Sequence, residues 1–197
     1  ASTRYARGLA GVRHIGVQHH HAHIAACLAE HHLDGPVIGV AFDGTGYGPD
    51  GTIWGGEFLI ADQADYRRAA RLAPFPLPGG EAAIRAPGRV ALAHLLALGL
   101  SPEDAARRIP HLPDAAARAA AVQAARGINA PLTSSMGRLF DAVSALLGIC
   151  PRVGYEGQAA MELETAAAPG AARVYPYRLD RAADGLLEID VRPLVAA

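Results

Sequence analysis

Seven of the nine histidines in this 197-residue chain fall between residues 14 and 32. Within His19-His20-His21-Ala22-His23 the His19/His23 pair is spaced i, i+4. On a helix that spacing puts both imidazoles on one face, one turn apart, where their nitrogens can reach a single ion. His20/His23, at i, i+3, is a weaker pairing, and His20 and His21 are expected to point elsewhere. A longer stripe of His19, His23, Cys27 and His31 spreads its outer members too far along a straight helix to share an ion. The plain alternative is a histidine run on a solvated helix end. Asp43 favours the metal. It closes the apolar run 37–42, which reads as a strand buried on both faces, and α/β sheets place ligands at strand carboxyl ends. Two imidazoles and one carboxylate form the open ligand set of a catalytic metal, leaving positions for water, phosphate or substrate. His19, His23 and Asp43 are therefore the expected metal ligands.

Asp43-Gly44-Thr45-Gly46-Tyr47-Gly48 follows one strand and precedes another. It is not a dinucleotide-binding GxGxxG, which must open a helix. A strand–glycine loop–strand hairpin bearing Asp is how actin-like ATPases wrap backbone amides around phosphate, and Gly44, Thr45 and Gly46 are the candidate cradle. The alternative is an ordinary glycine-rich hairpin. Asp141 sits in a helix otherwise devoted to packing, where surface solvation is the plain alternative. The turn Gly154-Tyr155-Glu156-Gly157-Gln158 opens a further helix whose first amides can meet a nucleotide or another anion.

These residues need elements to position them. A short strand over 14–17 leads into a helix over 18–32, a turn at Asp34-Gly35-Pro36, and strands over 37–43 and 52–60 that pair antiparallel as a hairpin. A Pro/Gly loop over 74–80 precedes a helix over 81–98. Ser101-Pro102 starts a second helix, with Ser as N-cap and Pro at the first helical position. Residues 114–126 are helical by propensity. Residues 133–149 form the cleanest amphipathic helix, capped by Ser134 or Ser135, with Leu139, Val143, Leu146 and Leu147 as its apolar stripe. A helix over 158–167 and strands over 173–179 and 186–191 complete the reading.

Composition narrows the function classes. At 51% hydrophobic and 19% charged residues, the chain can bury a full core. All 18 basic residues are arginine, which excludes a P-loop or Schiff-base lysine within this chain. A net charge of −1 argues against a general grip on nucleic acid or an acidic membrane. The expected partners therefore include neither. The two cysteines are read as small buried apolar residues, and their scarcity, with no signal-peptide or membrane-length apolar run, fits a reducing cytoplasm. A first residue other than Met suggests a chain that begins inside a longer protein.

Taken in order, several segments resemble the HypF family of carbamoyltransferases, which mature [NiFe] hydrogenases. They are Val17-Gln18-His19-His20-His21-Ala22-His23, Ala41-Phe42-Asp43-Gly44-Thr45-Gly46-Tyr47-Gly48, Ile53-Trp54-Gly55-Gly56-Glu57-Phe58, Leu77-Pro78-Gly79-Gly80-Glu81, Ser134-Ser135-Met136-Gly137-Arg138-Leu139-Phe140-Asp141 and Tyr155-Glu156-Gly157-Gln158. That family is similar to the enzymes making threonylcarbamoyladenosine in tRNA and to antibiotic O-carbamoyltransferases. The resemblance implies an α/β, actin-like ATPase or ribonuclease H-like fold, here truncated to one lobe and the helical start of the second. Residues 1–73 would be a metal- and phosphate-binding α/β part, and residues 74–197 a mainly helical nucleotide-side part with C-terminal strands. It further implies iron or zinc, divalent or trivalent, on His19, His23 and Asp43, with Asp141 and Gly157 at the nucleotide. The implied reaction moves carbamoyl from carbamoyl-adenylate, made from carbamoyl phosphate and ATP, to the C-terminal cysteine of a HypE-like acceptor. The product is a thiocarbamate that becomes the hydrogenase cyanide ligand. Glu81 and Gly88 stand where the family has Asp and Trp. Its later Ser-Gly-Gly-Val-Phe-Gln-Asn motif and final metal aspartate are not in this sequence, so the segment alone is expected to be inactive. Two other readings are an O-carbamoyltransferase acting on a small-molecule hydroxyl and a non-enzymatic metal-binding module.

Overall fold

A computed structural model describes residues 2–168, 170 and 174–197, with side chains from residue 5. After α1 (Ser2–Arg7) come α2 (His19–Glu30), β1 (Val37–Tyr47), β2 (Ile53–Ala61), β3 (Tyr66–Leu72) and β4 (Phe75–Pro76). The helical middle holds α3 (Glu81–Arg85), α4 (Gly88–Ala97), α5 (Pro102–Arg107), α6 (Asp114–Arg126), the short β5 (Leu132–Thr133) and α7 (Met136–Leu146). Then follow α8 (Gln158–Ala166), β6 (Arg178–Arg181), β7 (Leu187–Asp190) and α9 (Arg192–Ala196).

The expected hairpin forms, with β1 and β2 antiparallel and Val40 opposite Phe58. The glycine segment is not a loop, because β1 runs on through Tyr47 with a register shift between Phe42 and Gly46. β1 takes one edge of β2, while β5 and then β3 take the other, and the sheet continues through β7 to β6. α2 covers one face. Ile24 and Leu28 pack with Ala41, Trp54 and Leu59 beneath it. The expectation of a strand buried on both faces fails for β1. Ile38, Val40 and Phe42 are exposed on the face away from α2.

The main core lies in the helical layer, where Val90, Leu92 and Leu95 of α4 pack with Ile109, Ala117, Ala142 and Ala145. α6 has the bounds its sequence predicts and ends at Gly127 in the left-handed region. α5 starts as expected, the Ser101 hydroxyl accepting from Asp104 N. Other boundaries move for local reasons. Pro87 supplies no N–H, so the expected helix over 81–98 splits into α3 and α4 around it. Leu132 and Thr133 pair with β4, so α7 starts only at Met136, with Ser135 as cap. Leu147, expected in the buried stripe, is 64% exposed. Residues 14–17 form no strand, and Ile15 and Val17 are exposed. The C-terminal strands are shorter than expected, β6 starting at Arg178. Arg173, where the first of them was expected to begin, lies outside the described residues.

Candidate functional site

The Gln18 side chain accepts from His21 N and so starts α2 just where the histidines begin. His19 and His23 then share a half-exposed face, and their Nε2 atoms lie 3.3 Å apart. His19 Nε2 donates to Asp43 Oδ2 at 2.9 Å. The two histidines and the carboxylate thus converge from α2 and β1. Among the described residues no group of three or more His, Cys, Asp and Glu side chains is set as a metal cage. The His19–Asp43 hydrogen bond would give way to an ion, which displaces the imidazole proton on binding.

His21 points away, as expected, with Nε2 donating to Asp62 O at 2.8 Å. His20 does not. It is fully buried, and its Nε2 lies 3.7 Å from Asp43 Oδ2 without a hydrogen bond. The Gln18 amide donates to its Nδ1 at 3.1 Å, which leaves the proton of neutral His20 on Nε2, facing Asp43. Burial holds the His20 pKa below its ordinary value, the charges of Glu57 and Asp43 offsetting only part of that. Room for His20 comes from Gly46: a Cβ there would stand 2.2 Å from the imidazole. A space of about 590 Å³ bordered by His20, His23, Cys27 and Asp43 opens beside the cluster.

Of the glycine cradle, Gly44 N is spent on Asp43 Oδ1 at 2.6 Å and Gly46 is packed on His20, while Thr45 is exposed. Helix α7 docks onto this turn. The Ser135 hydroxyl faces Asp43 O at 2.7 Å and Gly44 O at 2.8 Å, and accepts from Arg138 N. A Cβ on Gly137 would come within 2.8 Å of Gly44 Cα. Asp141 is not solvated surface. It is 3% exposed, its carboxylate 2.8 Å from Arg138 Nη1, and burial pushes its pKa up to about 6 against the pull of Arg138. Gly157 precedes α8 with φ of 77°, and open space surrounds its α-carbon. The Gln158 side chain accepts from Gly154 N and donates to Glu162.

Sequence reasoning passed over a second polar assembly behind the hairpin. Glu57 is fully buried and accepts from Arg68 Nε at 2.6 Å, from the Ser134 hydroxyl at 2.5 Å and from the amides of Gly55 and Gly56. Arg68 also donates to Asp50 and lies 3.9 Å over the Trp54 ring. Burial alone would raise the Asp50 pKa, but hydrogen bonds from Thr52 and Trp54 and the Arg68 charge hold it below the usual carboxylate range. The signal was Glu57 itself, the one charge in the run of β2.

Known proteins resemble this chain in sequence and fold. Residues 39–197 match the family described as "Carbamoyltransferase, Kae1-like Domain, second subdomain", and residues 1–30 match the "HypF Kae1-like domain". The chain is 54% identical over 165 residues to carbamoyltransferase HypF of Rhodobacter capsulatus, covering 82% of this chain and 22% of that protein. It is 43% identical over 197 residues to a carbamoyltransferase HypF homolog of Cupriavidus necator, covering 95% and 50%. A crystal structure of full-length HypF in a phosphate- and nucleotide-bound form superposes with a TM-score of 0.87 at 43% identity, over 99% of this chain and 25% of that one. The HypF of T. kodakarensis gives a TM-score of 0.78 at 35% identity, over 98% and 26%. The chain thus spans roughly a quarter of the length of most of these relatives, in an actin-like, ribonuclease H-like fold. Matched along nearly all of its length, the chain belongs to the HypF carbamoyltransferase family.

Proposed function

We propose that this chain is the carbamoyl-transfer portion of a HypF-type enzyme and that its centre is the His19, His23 and Asp43 cluster. One observation carries the reading: Nε2 of His19 meets both Nε2 of His23 and a carboxylate oxygen of Asp43 within 3.3 Å. The donor set suits iron or zinc, and the buried Nε2 of His20 beside Asp43 adds a polar group that has no hydrogen-bond partner among the described residues. Such an ion supplies Lewis-acid polarisation of a phosphoryl or carbonyl oxygen. The chain's own residues do the positioning. Ser135 ties the Asp43–Gly44 backbone to α7, and His20 backs the carboxylate.

In this reading residues 1–73 form the metal and phosphate side. Residues 74–197 form the nucleotide side, with Asp141 and Gly157 at the nucleotide. The donor is carbamoyl-adenylate, formed from carbamoyl phosphate and ATP, and the acceptor is the C-terminal cysteine of a HypE-like protein in the cytoplasm. The test uses the full-length enzyme carrying this chain. Replacing His19 and His23 together by Ala is expected to remove one equivalent of bound iron or zinc and to abolish carbamoyl transfer, with the thermal midpoint kept. Full metal content and full transfer in that variant would overturn the assignment.

A further inference from the structure

Arg138 departs from the other arginines that lie mostly under the surface. Arg68 donates to Glu57, Asp50 and Ser134, Arg71 to Glu188, and Arg89 to Pro78 O and Gln123. The Arg138 side chain is only 7% exposed, yet among the described residues its Nε and Nη1 have no hydrogen-bond acceptor. Its one ionic neighbour is Asp141 Oδ2, close at 2.8 Å but not aligned for a hydrogen bond, and that oxygen is itself unpartnered. A buried guanidinium with idle donors is costly, because donors removed from water must find acceptors or forfeit their hydration.

The surroundings indicate which acceptor fits. Arg138 lies in the first turn of the 11-residue helix α7, whose first amides have no intrahelical acceptor and whose dipole places partial positive charge there. That helix end abuts the Asp43–Gly44 turn, where Gly137 touches Gly44 backbone to backbone. Gly44 also keeps the guanidinium edge clear: a Cβ on residue 44 would sit 3.1 Å from Arg138 Nη2. A turn of the guanidinium toward an anion at this place breaks no directed hydrogen bond.

We propose that Arg138 is an oxyanion-binding residue that takes a phosphoryl oxygen of a ligand seated beside the junction of Gly44 and the start of α7. This goes beyond the carbamoyl-transfer reading, resting on it only for the expectation that a phosphate-bearing ligand enters here. The test titrates inorganic phosphate into the full-length enzyme by calorimetry, with zinc titrated separately. Arg138→Gln is expected to lose one phosphate equivalent or to weaken that site at least roughly tenfold, as loss of a charge-assisted fork implies. Arg138→Lys, which keeps the charge without the fork, should fall between that variant and the parent. Gly44→Ala, which presses a methyl on Nη2, should weaken phosphate several-fold. Zinc uptake should match the parent in both Arg138 variants. Parent-like phosphate binding in a folded Arg138→Gln protein would overturn the proposal. If that variant does not fold, parent-like binding in both Arg138→Lys and Gly44→Ala overturns it instead. Failure of the parent to take up zinc strikes the metal reading alone, and an Arg138-dependent phosphate site would still support this inference.

Discussion

Among the described residues, the two most deeply buried arginine–carboxylate pairs are built to opposite standards. Behind the β1–β2 hairpin, Arg68 and Glu57 have their polar groups matched by Asp50, Ser134, two backbone amides and the Trp54 ring. In α7, Arg138 and Asp141 have each other and little else. A buried charge with complete hydrogen bonding fixes one arrangement of the chain, here the strand hairpin that carries Asp43. A buried charge left short of partners stabilises the fold poorly and stays available to something that arrives later. That difference, not charge or burial, is what the role proposed for Arg138 rests on.

The largest effect is expected where bonding is complete. Glu57→Gln keeps the shape but leaves Arg68 without its buried counter-charge, and should cost about 3–5 kcal/mol of stability. Denaturant unfolding of the parent and variant measures this. Replacing Glu57 by Leu and Arg68 by Met together should recover much of the loss, since no stranded charge remains. A Glu57→Gln cost under about 1 kcal/mol would place this pair among weakly contributing surface bridges and remove the contrast.

The next effect is read in pH. Asp141 has a folded pKa of about 6 against an ordinary 3.8, so between those values the native state holds a proton that the unfolded state has released. Its contribution therefore declines as pH rises, by roughly 2 kcal/mol from pH 4 to pH 6. His94 of α4, fully buried beside Phe75, does the reverse. Burial takes it from 6.5 to about 4, with the Asp190 charge opposing slightly. Between pH 4 and 6.5 the unfolded state binds the proton and the native state does not, so stability rises with pH by a similar amount. The two slopes nearly cancel in the parent. Asp141→Asn should expose the rising slope of His94, and His94→Leu the falling slope of Asp141, in unfolding free energies measured at pH 4.5, 5.5 and 7. Parallel profiles for parent and Asp141→Asn would show that Asp141 titrates normally and that its pair with Arg138 is no weaker than the Arg68 pair.

Local chemistry was the legible part of both regions. The hairpin, α6 and the Ser101 cap follow from apolar runs, Ala-rich propensity and capping residues, all encoded within a few positions. His19, His23 and Asp43 were legible because a four-residue spacing and a strand end each imply a direction. Long-range packing was not legible. Periodicity alone sends His20 off the site, but Gly46, 26 residues away, opens the space that buries it against Asp43. For Asp141, one residue past apolar Phe140, a solvated helix face was the plain alternative. In the protein Phe140 is 42% exposed and Asp141 3%, so that alternative fails. The apolar run of β1 promised cover on both faces, and the described residues provide it on one.

The smallest effect comes from two adjacent serines, one in each assembly. Ser134 donates to Glu57 and meets Arg68 at 3.4 Å. Ser135 caps α7 and holds the carbonyls of Asp43 and Gly44. Each Ser→Ala change should cost about 1 kcal/mol. For Ser134 this is because the Glu57 oxygen keeps its two amide donors, and for Ser135 because that is the usual worth of an N-cap. Stability measurements should therefore not tell the two variants apart. Ligand binding should: Ser135→Ala loosens the turn carrying Asp43 and Gly44, and is expected to weaken zinc and phosphate binding a few-fold in the full-length enzyme. Ser134→Ala should leave both at the parent's values. Equal ligand losses in the two variants would mean that the hairpin network tunes the site as much as α7 does, and the division between scaffold and site would have to be redrawn around both serines.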